Sequence, residues 1–449
     1  MDFSDTSTSA TPAPELTLRR ITQTWWPLAF SWLLMSVEGP AHSAIAARLA
    51  NPEINLAAWG GIVFPLALII EAPIIMLLPA STALSKDWNA YVRVRQFMMR
   101  MGIILTAVHA IIAFTPLYDF IARNLIGAPE VIIEPGRTGL MIMLPWSWAI
   151  AYRRVQQGLM IRFGHPKAVS MGTLIRLGAN GIVLLTGYLI HTLPGIVVAS
   201  SAVAVGVVTE AIYAGVRARP IVRYQLRLAP RAEETLTLRT FLAFYVPLAL
   251  TSLISLLVQP IGSATMSRLP RALDSLAVWP VLSGLLFILR SGGVAYKEAV
   301  ISLLDEPRAM QSLRRFTAIL ITGGTALLVL IAATPLSELW FGRVMALSPK
   351  LMDLGRQGLI AGLFFPAIAT LDSWFQGLLM HRRRTRSITE GVVLYTVVIA
   401  VGMGVGIALD RLGIPVVGVY VAIVVFQIAW GLQVGWLWWR NRTVKGCEL

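Results

Sequence analysis

PLAFSWLLMSVEGPAHSAIAARL, residues 27–49, returns 220 residues later as PLALTSLISLLVQPIGSATMSRL, residues 247–269. In one register Pro40 falls on Pro260 and SAIAARL falls on SATMSRL, and Trp59 and Trp279 keep the same offset. Further along, TPL (115–117) matches TPL (334–336), GRTGL (136–140) matches GRQGL (355–359), and Gln157 matches Gln376, now at an offset of 219. One deleted residue accounts for the change. Matches that recur in order along one register imply two structurally equivalent halves.

Composition fixes the medium in which those halves sit. Of 449 residues, 56% are hydrophobic and 14% charged, with a mean hydropathy of +0.70, against about 25% charged in an ordinary soluble domain. Apolar stretches of roughly 20 residues, the length that crosses a bilayer, number about twelve. Hydrocarbon leaves no partner for loose backbone groups, so each must be a helix. Lys and Arg collect in every second connection, among them Lys86, Arg93 and Arg95, then Arg217 to Arg231, then Arg382 to Arg386. This distribution places both termini in the cytoplasm and makes the chain a multi-pass protein of the inner (plasma) membrane. The net charge of +15 is therefore topological and reads as contact with lipid headgroups. HRRRTR at 381–386 lacks the interleaved aromatics that stack bases, which argues against nucleic acid. The single cysteine, Cys447, excludes an internal disulfide and a Cys-rich metal site, and no cofactor or metal is expected.

The fold class that follows is an all-α integral membrane protein, with about twelve transmembrane helices in two six-helix lobes. An even number of spans per copy relates the lobes by a pseudo-twofold axis along the membrane normal. The expected divisions are a disordered tail (1–24), a first lobe (25–216), a basic linker (217–239), a second lobe (240–440) and a short tail (441–449). A central cleft between lobes is the expected substrate path, which makes secondary transport the leading function class. An intramembrane enzyme is the alternative from a different class, but the spans carry no HExxH or paired-aspartate motif. There is no GxxxxGK[ST] to couple ATP directly.

SVEGPAHSAIAAR, WGGIVFPLALIIEAP, YVPLALTSLISLLVQPI and GGVAYKEAVISLLDEPR together resemble the progressive ankylosis protein (ANK) family over nearly the whole span region. That family is similar in fold to the MATE-like transporters of the multidrug/oligosaccharidyl-lipid/polysaccharide (MOP) flippase superfamily. The resemblance implies efflux of a small anion of the citrate, pyrophosphate or nucleotide kind. Departures from the family pattern fall at Pro40 and Ala41 and in the arginine-rich linker.

Charged residues inside spans cost about 2.5–3.5 kcal/mol each on insertion scales and so mark function by default. Glu38 and His42 lie four apart on one face of the first span, flanking Pro40, and are candidates for holding a coupling proton or sodium ion; pairing of Glu38 with Arg176 is the structural alternative. Arg290 and Lys297, seven apart on one helical face beside Gly292 and Gly293, suit an anion with several oxygens. Glu71 aligns with Ser291, next to Arg290, and suggests a lobe-to-lobe ion pair with Arg290. Arg48 and Arg268, equivalent at the outer ends of their spans, form a candidate basic mouth or else snorkel to headgroups. One of Arg153 and Arg154 should face inward, and Glu210 reads as an intralobe pair. Glu38 and Glu71 would instead serve a cationic-drug antiporter, the second transport reading, ahead of a lipid-linked precursor flippase. Oligomeric state is not specified by the sequence.

Overall fold

The computed structural model describes residues 16–230, 236–382 and 384–442. Arg231, Arg383, Lys445, Cys447 and the acidic residues of the N-terminal tail lie outside the described residues. Within them the chain is helical, with no β-strand. The first six passes are α1 (Leu18–Ala46), α2 (Pro52–Glu71, continued by Leu77–Leu84), α3 (Trp88–Phe114), α4 (Glu130–Ile142 and Leu144–Arg162), α5 (Pro166–Ile190) and α6 (Gly195–Tyr224). The second six are α7 (Leu238–Arg268), α8 (Ala272–Leu303), α9 (Ala309–Ala333), α10 (Pro349–Ala361 and Phe365–His381), α11 (Thr385–Arg411) and α12 (Gly418–Arg442). Among the described residues nine helices are long and apolar enough to cross a membrane, and the pair in α10, bent by 42°, makes a tenth. The other two, α1 and α4, carry Glu38 with His42 and Arg153 with Arg154 along their lengths.

Local chemistry places the helix ends in matching positions. Thr17 caps α1 by accepting from the Arg20 amide at 3.2 Å, and Thr237 caps α7 by accepting from the Thr240 amide at 3.1 Å. These satisfy amides that have no partner inside the helix. Two helix ends differ from the expected divisions: α1 starts at Leu18, inside the segment expected to be a tail, and α6 runs on to Tyr224, through the start of the expected linker. Pro40 also does not break α1, which is helical from Leu18 to Ala46.

The single-residue change of register has a structural cause. Trp59–Val63 forms a π-helical turn within α2, whereas the equivalent stretch of α8 is regular α-helix. A π-turn inserts one residue into a helix, so the offset is 220 before it and 219 after it. The axis relating the lobes can be located too. Gly60 and Pro280 are equivalent positions at offset 220, and a Cβ on Gly60 would stand 2.8 Å from Pro280 Cδ. Equivalent residues meet only where the twofold axis passes between them. Close approach here requires that one of the two be glycine.

Around that axis α2, α6 and α8 are 72%, 67% and 50% buried, whereas α3, α5, α9 and α11 fall between 17% and 28%. The first set forms the interior and the second the apolar rim. One continuous core crosses between the lobes, with Trp59 and Ile62 of α2 packed in the same cluster as Leu276 and Leu282 of α8. The face that carries the arginine-rich connections is called the basic face below.

Candidate functional site

Each lobe encloses a polar cluster built from its second, fourth, fifth and sixth passes, joined in the first lobe by the first pass. In the first lobe, Glu38 of α1 accepts from Arg176 Nη1 of α5 at 2.7 and 2.6 Å and from Asn180 Nδ2 at 2.6 Å. Arg176 Nε also stands 3.1 Å from Glu210 Oε2 of α6, and Glu210 in turn takes a short ion pair from Arg153 of α4. Gln157 Nε2 donates to Glu210 Oε1 at 2.8 Å. Glu71 of α2 is buried in the same lobe. Two carboxylates, Glu38 and Glu210, therefore pair with two guanidiniums, Arg153 and Arg176. Ionised, the cluster neutralises itself.

The second lobe repeats the positions and changes the chemistry. At offset 219, Glu71 corresponds to Arg290, Arg153 to Asp372, Gln157 to Gln376 and Arg176 to Tyr395. On α12, Gly418 abuts Met266 as Gly195 of α6 abuts Ala46. That pairing sets an offset of 223 and puts Gln433 where the first lobe has Glu210. Asp372 accepts from Gln376 Nε2 at 2.8 Å and from Gln433 Nε2 at 3.1 Å. Arg290 lies between rings, 5.2 Å from the centroid of Phe287 and 5.1 Å from that of Trp430. Among the described residues neither Arg290 nor Lys297 makes a side-chain hydrogen bond or ion pair, and Arg290 Nε is buried without a partner. Arg290 and Lys297 are the cations of this lobe's α8, and Asp372 is the acid of the cluster.

The expected site residues thus separate by lobe. Arg290 and Lys297 lie on α8 of the second lobe, while Glu38 and Glu71 lie in the first lobe. Glu38 takes the structural alternative, the pair with Arg176. His42 is 2% exposed, with Nδ1 2.6 Å from the Glu38 carbonyl oxygen and its ring 6.0 Å from that of Trp59, close to parallel. Arg153 is the buried member of its pair, and Glu210 pairs within its lobe. The expected ion pair between Glu71 and Arg290 is absent among the described residues. With the π-turn counted, Arg290 is the counterpart of Glu71 itself. Twofold mates away from the axis sit in opposite lobes, each in its own surroundings. Tyr395, Gln433 and Trp430 complete the second cluster without having been singled out by sequence, whereas Asp372 is visible there as the residue that matches the Arg153 region.

Arg48 and Arg268 do not form an open mouth. Arg48 Nη1 donates to the Val344 carbonyl at 2.9 Å and Nη2 to the Arg343 carbonyl at 2.6 Å, both at the end of a π-helical turn, Leu339–Val344, of the opposite lobe. Reciprocally, Arg268 donates to the carbonyls of Ile126 at 2.7 Å, Leu125 at 2.8 Å and Asn124 at 2.9 Å, which end the π-turn Ile121–Ile126. Each arginine also bonds its own helix, at Ala44 and Ala264. Carbonyls at a helix end lack intrahelical partners and carry partial negative charge, which a guanidinium satisfies. Gly127, at φ +72°, turns the chain there, and a Cβ on it would stand 3.2 Å from Arg268 Cζ. At the basic face a second symmetric seam closes the lobes. Trp25 Nε1 donates to the Gly292 carbonyl at 2.8 Å, and its equivalent, the Tyr245 hydroxyl, donates to the Pro73 carbonyl. Trp25 packs on Phe316 at 5.4 Å and Tyr245 on Phe97 at 5.0 Å, again as equivalents.

No protein-family model matches the sequence, and no curated protein matches it significantly. Solved structures do. An inward-facing multidrug resistance MATE family transporter of the MOP superfamily superposes with a TM-score of 0.71 at 13% identity, covering 94% of this chain and 98% of that one. The lipid II flippase MurJ, in an inward closed conformation, gives 0.70 at 15% identity over 93% and 87%. An outward-facing MATE family transporter of the MOP superfamily gives 0.52 at 12% over 97% and 100%. The chain therefore shares the fold of these MATE transporters and of MurJ.

Proposed function

We propose that the chain is a secondary active transporter that exports a small organic or phosphorylated anion by rocking its two lobes, with Arg290 as the anchor for the anion and Lys297 as its second cation. The observation that carries this reading is Arg290 itself. It is a guanidinium on a membrane-spanning helix, its faces covered by Phe287 and Trp430 and no ion pair made among the described residues. A cation in such surroundings is stabilised by any anion that reaches it. The resemblance to the progressive ankylosis protein family supports the same cargo class. The solved structures of the same fold are transporters and a lipid flippase by their descriptions, which supports transport over catalysis in the membrane.

The seams supply the alternation. For the face opposite the basic one to open, Arg48 and Arg268 must leave the carbonyls of the opposite lobe. For the basic face to open, Trp25 and Tyr245 must leave theirs. Coupling to a proton or sodium ion at Glu38 and His42 would require Arg176 and Asn180 to release Glu38, with the cytoplasm at the basic face of the plasma membrane. A cationic-drug antiporter is the second reading, since solved structures of this fold are described as multidrug transporters. It would need Glu38 or Glu71 free to meet a cation, and Glu38 is held by Arg176 and Asn180. Counterflow in proteoliposomes decides between them, using citrate, pyrophosphate, a nucleoside triphosphate and a cationic dye. Anion uptake that Arg290→Met abolishes upholds the proposal, whereas uptake of the dye alone transfers the function to the acidic residues.

A further inference from the structure

We propose that the groove between the basic-face ends of α11 and α12 is a binding site for an acidic phospholipid, with the headgroup at Arg386 and one acyl chain lying along α11. The groove encloses about 690 Å³. Its α11 wall is one helical face, Arg386, Glu390, Val393 and Val397, which at 1.5 Å per residue runs roughly 16 Å from the membrane surface toward the bilayer centre. Polarity falls along that line. Arginine and glutamate stand at the rim, while Val393 and Val397, 42% and 53% exposed, stand at the apolar end. A molecule that matches the gradient has a charged head and a hydrocarbon tail.

The rim is built rather than incidental. Glu390 is shared by two guanidiniums, with Arg440 Nη2 at 2.9 Å and Arg386 Nε at 3.4 Å. Arg440 is further fixed by donating to Ser387 Oγ at 3.2 Å and by lying 5.6 and 5.9 Å from the rings of Trp436 and Trp439. Two cations on one carboxylate leave one positive charge in surplus. The freer of the two is Arg386, whose side chain is 91% exposed. The indole N–H of Trp436, which lines the groove, has no hydrogen-bond partner among the described residues. Tryptophans at this depth and arginines at the basic face are the elements that hold anionic headgroups.

The other lobe provides a control within the molecule. The equivalents on α5 and α6 are Lys167, Met171, Tyr213, Val216 and Arg217. They offer basic charge but neither the bridging acid nor the tryptophan pair.

The test titrates the purified protein in detergent with phosphatidylglycerol and, separately, with phosphatidylcholine of the same chains, counting bound lipids by native mass spectrometry. The proposal expects the tightest lipid on the unmodified protein to be phosphatidylglycerol. It expects Arg386→Glu to weaken that event by roughly tenfold, while Lys167→Glu leaves it in place. Equal binding of the two lipids overturns the site, as does undiminished phosphatidylglycerol binding by Arg386→Glu. Equal losses in the two variants also overturn it, because they show a general response to surface charge. Arg386 is solvent-facing, so its replacement leaves the fold intact.

Discussion

The two polar clusters occupy equivalent places on equivalent helices, yet one is closed on itself and the other is not. In the first lobe Glu210 stands between Arg153 and Arg176, Glu38 ties Arg176 to α1, and acids and bases balance. In the second lobe the same positions hold Asp372, Gln433, Tyr395 and Arg290: the charge signs at the first-lobe Glu71 and Arg153 positions are inverted, and the flanking charges give way to neutral groups. The difference teaches that a duplicated scaffold fixes where polar groups sit, not which sign they carry. A paired network is a structural element, because Glu38 and Glu210 already hold Arg176 and Arg153. An unbalanced one leaves attraction available to a ligand.

The largest effect that can break this comparison is on stability. Glu210→Gln leaves Arg153 and Arg176 together without their shared anion, and removing one partner of a buried pair costs about 3–5 kcal/mol. Thermal unfolding in detergent should show a pronounced fall. Arg290→Met should leave the midpoint unchanged or raise it, since the arginine has no ion pair to lose. If both variants fall alike, the clusters do not differ in kind. The second effect is on transport. A charge-assisted hydrogen bond contributes roughly 1.5–3 kcal/mol, so Arg290→Met should lower initial anion uptake by roughly 10- to 100-fold while the protein stays folded. Folded Arg290→Met protein with normal uptake would remove the second cluster from the substrate path.

Much of this arrangement is legible in the sequence, and what is not has physical reasons. The repeat at 220 and 219 yields the two lobes, and the equivalence of Arg48 and Arg268 is visible from it. LTLR at 16–19 and 236–239 also repeats at 220 and marks both helix starts, so the beginning of α1 was available from the same register. The exchange of Glu71 for Arg290 was obscured because a π-turn spends one residue without leaving a sequence signature in Trp-Gly-Gly-Ile-Val. Tyr395 and Gln433 carry no charge and gave nothing to align with Arg176 and Glu210. The acceptors of Arg48, Arg268 and Trp25 are backbone carbonyls of the opposite lobe, and any residue supplies a carbonyl. Only tertiary packing selects them.

The two arginine seams sharpen the comparison from another side, because here the lobes are chemically alike. Arg48→Ala and Arg268→Ala each remove a guanidinium from helix-end carbonyls, with an expected shift of about 1–3 kcal/mol toward opening of the face opposite the basic one. Ser263, 1% exposed at the lobe interface, is a suitable reporter. In a background lacking Cys447, the rate at which a maleimide labels Ser263→Cys in detergent should rise in both variants by similar factors. A strong rise in one and none in the other would mean that the seam is not symmetric in energy, whatever its geometry.

The smallest effect distinguishes a hinge from simple loosening. Trp25→Phe and Tyr245→Phe keep the aromatic packing on Phe316 and Phe97 but remove one neutral hydrogen bond each, worth about 0.5–1.5 kcal/mol. These bonds close the basic face. If the lobes rock as rigid bodies, weakening that seam favours the conformation in which the basic face is open and the opposite seam is kept, so labelling of Ser263→Cys should slow or stay level. Faster labelling would show that the lobes separate at both faces together. The four equivalent contacts would then be packing alone, with no part in alternating access.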